Sequence, residues 1–118
     1  MPLMAAAFPI LPQKTAEWRK FMDEINGPRR AEFVESRRRA GVQERTFLQP
    51  TPMGDLVIVT LEGEDPQRSF GQMIQANDPF TQWFLERVKE VHGIDLRAQA
   101  APPPELVADS SKPAVMAR

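Results

Sequence analysis

Residues 43–62 constrain the fold most. Two strand-like runs, residues 43–49 and 55–62, flank the turn-rich stretch Pro50-Thr51-Pro52-Met53-Gly54. The longer segments on either side have helical periodicity, and a hairpin framed by helices predicts a small α+β domain. In the second run Leu56, Ile58 and Thr60 point one way, and Val57, Val59 and Leu61 the other. Neither face is polar enough to be left wholly to solvent, so this sheet needs a layer on both sides.

The chain before the hairpin reads as a strand and an interrupted helix. Residues 3–10 are mostly apolar on both faces, with Pro9 near the end of the strand because proline cannot donate to a ladder. Thr15 is the expected N-cap of a helix whose apolar residues Trp18, Phe21, Met22 and Ile25 recur at i, i+3, i+4 and i+7. Asn26-Gly27-Pro28 interrupts it by kink or restart, and Gly41 is placed to stop the second segment after the basic turn Arg37-Arg38-Arg39.

Beyond the hairpin, Asp65-Pro66 and Asp78-Pro79 each pair an N-cap with proline at N1. They open helices bearing Phe70, Met73 and Ile74, and then Phe80, Trp83, Phe84, Val88 and Val91, the second closed by Gly93. Proline enriches the linker 98–104, residues 105–109 are expected to form a short last strand, and residues 110–118 a mobile tail. Residues 1–109 thus form one domain, the size that 118 residues can support around a single core.

Several classes are excluded or disfavoured. A formal net charge of −1 offers no global attraction to nucleic acid or anionic lipid, and no run approaches the roughly 20 apolar residues that span a bilayer. The apolar first twelve residues lack the basic leading region of a signal peptide and carry prolines at positions 2, 9 and 12. Having no cysteine, the chain has no disulfide framework and no thiolate, which fits a reducing compartment; a cytoplasmic location is expected. A lone histidine gives no metal-ligand set, and neither metal nor cofactor is expected.

The order strand, helix, strand, strand, helix, weak strand is the split βαβ pattern of a ferredoxin-like antiparallel sheet with helices on one face. The cheapest cover for the other face is a second copy of the chain, giving a homodimer packed sheet to sheet. This order, the Gly41-Val42 exit into the hairpin, and Asp78-Pro79-Phe80 with Trp83-Phe84 leading to Val91-His92-Gly93-Ile94-Asp95-Leu96 resemble small bacterial proteins of the dimeric α+β barrel superfamily. The likeness spans roughly residues 3–96 and is to an uncharacterised branch. That superfamily includes cofactor-independent antibiotic-biosynthesis monooxygenases, muconolactone-isomerase-like enzymes, haem-handling proteins and ligand-sensing modules, so the resemblance implies fold more than activity.

Candidate chemistry centres on arginine and the one histidine. Six of the eleven arginines lie in residues 29–45. If the helix restarts at Pro28, Arg30 and Arg37 share the inward stripe with Phe33 and Val34; an unbroken helix turns Arg29, Glu32, Phe33, Ser36 and Ala40 inward instead. Arg30 or Arg37 then offers a planar donor fork to a carboxylate, phosphate or enolate, or else pairs internally with Glu32, Glu35 or Glu44. Interleaved glutamates and the lack of a stacking motif argue against nucleic acid. His92 is the candidate for proton transfer, or simply a helix-terminal imidazole bonding the final carbonyls. Trp83 is a candidate stacking surface, or core, and Gln49, with Thr46 and Thr60, a candidate orienting group.

Three functions follow as expectations: a homodimer binding a small anionic or aromatic molecule between sheet and helices, through Arg30, Arg37, Gln49 and Trp83; a cofactor-independent monooxygenase or isomerase-like enzyme with His92 moving a proton; and a structural or interaction module with a filled interior.

Overall fold

The computed structural model describes residues 2–98 and 104–111. Seven elements follow one another: β1 (Leu3–Pro9), α1 (Thr15–Asn26), α2 (Arg30–Ala40), β2 (Val42–Thr51), β3 (Gly54–Gly63), α3 (Pro66–Gln75) and α4 (Pro79–His92). The three strands form an antiparallel sheet in the order β1-β3-β2, an α+β arrangement compatible with a ferredoxin-like fold.

The hairpin is longer and tighter than its sequence suggests. Pairing runs from Val42 opposite Gly63 to Thr51 opposite Gly54, leaving only Pro52 and Met53 as the turn. Thr51 closes it: its hydroxyl donates to the Gly54 carbonyl at 2.6 Å and accepts from the Met53 N–H at 3.1 Å. Gly54, at φ 125°, occupies backbone space that a side chain would resist.

Both Asp-Pro starts cap as expected. Asp65 accepts from the Arg68 N–H and Asp78 from that of Thr81, with proline at the first helical position each time. Gly41 and Gly93 end α2 and α4 in the left-handed conformation. Thr15 is not an N-cap: Lys14 precedes the helix, and the Thr15 hydroxyl instead donates across to the Asp55 carboxylate at 2.6 Å, tying α1 to the start of β3. At Asn26-Gly27-Pro28 the helix stops and restarts, and the Arg29 and Arg30 N–H groups bond back to the carbonyls of Glu24 and Gly27.

Among the described residues, helices pack on one face only. Val57, Val59 and Leu61 of β3, Phe8 of β1 and Leu48 of β2 point towards Trp18, Phe21 and Ile25 of α1 and Val88 and Val91 of α4, and Leu61 is just 1 % exposed. Every second residue of β1 and β2 turns away and is exposed. On this open face the pairing aligns Pro9 with Leu56 and Gln49, Ala7 with Ile58 and Phe47, and Ala5 with Thr60 and Arg45.

The expected last strand does not form. Residues 105–109 form no strand and have no ladder partners among the described residues, and Leu106 and Val107 are exposed. Two adjacent β-prone residues in a proline-flanked segment supply too little apolar surface to offset the ordering of five residues. The expected mobile tail falls mostly on residues 112–118, outside the described residues, as does most of the 98–104 linker. Among the described residues no helix is long and apolar enough to cross a membrane.

Candidate functional site

α2 carries the site because its restart sets its phase. The inward stripe is Phe33, Ser36, Arg37 and Ala40, so Arg37 is buried while Arg30 and Val34, expected beside it, are exposed. Arg30 is the first residue of the restarted helix, next to the Asn26-Gly27-Pro28 interruption.

Arg37 is immobilised on four sides. Its Nε donates to Glu44 Oε1 at 2.6 Å, one Nη donates to the Ser36 hydroxyl at 2.8 Å, and its guanidinium carbon lies 4.8 Å from the Phe33 ring centre and 4.7 Å from that of Phe84. The two side chains of the pair are only 8 % and 6 % exposed. Glu44 reaches Arg37 from β2, where alternation places it on the helix-facing side with Val42, Thr46 and Leu48. A charge-assisted bond at this distance and the two phenyl rings offset part of the desolvation cost of both ions.

Beyond the pair lies a small interior cavity of about 70 Å³ between sheet and helices. Its walls are mostly apolar, with Val57, Val59, Phe70 and Val88 among them; Arg37, Glu44, Thr46, Thr81 and His92 supply the polar groups. Outside the pair, two grooves of about 650 and 770 Å³ run along β2. Arg30, Phe33 and Glu44 border both, Trp18, Met22 and Leu48 line the first, and among the described residues Glu44 alone borders all three spaces.

His92, at the end of α4, is 8 % exposed and meets the cavity on the side of β1. Its Nδ1 lies 2.8 Å from the Pro9 carbonyl oxygen, which can only accept, so Nδ1 carries the proton and Nε2 keeps the lone pair. Burial holds its pKa below the usual imidazole value, against the opposing pull of the Pro9 carbonyl. The imidazole also meets the Phe8 ring at 5.6 Å between centres.

The structure therefore unites Arg37 and His92 at one cavity and disperses the other candidates. Arg30 lies on the groove side. Trp83 stacks under Arg29, 4.2 Å from its guanidinium carbon, and packs edge-on against Phe21, so it belongs to core and surface rather than to the cavity wall. Gln49 is on the open sheet face, bonded to the Pro50 carbonyl at 2.9 Å, and Thr60 shares that face; Thr46 alone of the three polar strand residues reaches the cavity. Glu44 was legible from its parity with Leu48, and Ser36 from the inward stripe of an unbroken helix; Thr81 carried no comparable signal.

Among the described residues no group of three or more His, Cys, Asp or Glu side chains is placed to hold a metal ion. No family model matches this chain, and no curated protein or solved structure is significantly similar to it. The functional reading accordingly rests on the geometry around Arg37.

Proposed function

We propose that this chain is a small-ligand-binding α+β protein that pairs with a second copy through the open face of its sheet. The observation that carries the reading is a buried, stacked arginine on the partition between an apolar cavity and a solvent groove. A cavity of about 70 Å³ is smaller than the roughly 300–1,000 Å³ of ordinary ligand sites, so the body of a ligand lies in the groove over Trp18, Phe33 and Leu48; Glu44 rather than Arg37 borders that groove, and the ligand's end reaches Arg37 only past Glu44. Phe47, Leu56, Ile58, Ala5 and Ala7 support the dimer, forming a continuous apolar strip that one copy leaves uncovered.

A fragment screen by amide and indole NMR tests the binding. Shifts confined to Trp18, Phe33 and the Arg37 side chain support it, whereas a library that perturbs nothing there removes it. Arg37 and His92 bordering one cavity favours a second reading, proton transfer at carbon beside a carboxylate or carbonyl, with neutral Nε2 as base. Its test is deuterium uptake by an enolisable 1,3-dicarbonyl probe in heavy water; uptake at the buffer rate, unchanged in His92→Gln, rules it out.

A further inference from the structure

We infer that Arg37 is an exchangeable carboxylate receptor: an apolar carboxylic acid entering from the groove takes the place of Glu44 on the guanidinium, and Glu44 swings outward towards Arg30. The inference rests on the ligand-binding reading above and names the class of ligand.

Each component is in place. Glu44 already shows which group the guanidinium accepts, at 2.6 Å from Nε. When Glu44 leaves, Arg37 does not have to follow, because Ser36, Phe33 and Phe84 hold it from other directions. Glu44 stands on an edge strand and borders both grooves, so a side-chain rotation carries its carboxylate into solvent without moving backbone. Arg30 borders the same two grooves, is exposed, and makes no ion pair with any described residue, so it offers the departing carboxylate a counter-charge.

The exchange conserves buried charge. One carboxylate replaces another beside Arg37, Glu44 regains its hydration, and the ligand adds apolar contact with Trp18, Met22 and Leu48. A neutral analogue that displaced Glu44 would leave Arg37 buried without a counter-ion, which is the source of discrimination.

The test compares acids with their amides. Benzoate and hexanoate, beside benzamide and hexanamide, are titrated into the wild-type chain and into Glu44→Gln, following the Arg37 Nε–H and Trp18 indole resonances. Removing the tethered competitor is expected to tighten acid binding at least tenfold and leave the amides unaffected. Arg30→Ala, an exposed change that leaves the core intact, is expected to weaken acid binding to the otherwise wild-type protein two- to threefold, and it keeps the test decisive if Glu44→Gln does not fold. Acids and amides binding alike, with no gain in Glu44→Gln or no loss in Arg30→Ala, overturn the exchange and leave groove binding standing. Silence from both acids and both amides in every variant overturns the exchange and the ligand-binding reading together.

Discussion

Arg37 between the rings of Phe33 and Phe84 sets the energetics of the site. With Glu44 equally buried, truncating only one partner strands the other charge in the interior. Arg37→Leu should therefore destabilise the fold by about 3–5 kcal/mol, while the double change Arg37→Met with Glu44→Leu should recover most or all of it. Urea denaturation of the three proteins checks this, and a single variant as stable as wild type sinks the idea of a tightly coupled pair. His92 gives a pH signature. Its folded pKa is depressed, so the unfolded chain takes up the proton first, near 6.5, and acidification favours unfolding. The contribution is full above that value and is lost as pH falls from it through the folded pKa. Melting temperatures should decline as pH falls below about 6.5, more steeply for wild type than for His92→Gln, whose amide keeps a donor for the Pro9 carbonyl.

At the level of elements, two glycines with opposite surroundings make a paired prediction. A methyl group at Gly71, inside α3, meets nothing within 4 Å, so Gly71→Ala should add about 0.5–1 kcal/mol through helix propensity. At Gly63 the same methyl would stand 2.5 Å from the Gly41 carbonyl oxygen, where β3 ends beside the exit from α2. Gly63→Ala should cost about 1–3 kcal/mol, since backbone must yield. Thermal melts of the two variants should move in opposite directions. The helix starts and stops were legible because each is a local event: aspartate, proline and glycine act on the backbone groups next to them. Helix phase after Asn26-Gly27-Pro28 was not, because Arg29 and Arg30 bond back to Glu24 and Gly27, and this sets the restart angle that turns Arg37 in and Arg30 out. Gln49 was misplaced for a simpler reason. Its parity with Gln43 and Arg45, on the face away from Leu48, was present in the sequence, but being polar on a strand does not by itself say which side is the pocket.

For the whole molecule, the decisive unknown face is the one without helices. If two copies meet there, Phe47→Glu, at a position 53 % exposed in the single chain, should yield a folded monomer, read by sedimentation equilibrium with unchanged far-ultraviolet dichroism. A wild-type chain that already sediments as a monomer at high micromolar concentration removes the dimer. A different consequence attaches to the rim of the sheet. β1 has β3 on one side only, and the backbone groups of Leu3, Ala5 and Ala7, which do not bond to β3, have no ladder partner among the described residues. Natural edges are usually guarded by lysine, by a bulge or by a covering segment, and this one has small apolar residues with Pro9 at its end alone. On heating, that unguarded margin templates chain-to-chain strand addition, so melting should be irreversible and its midpoint should rise with scan rate.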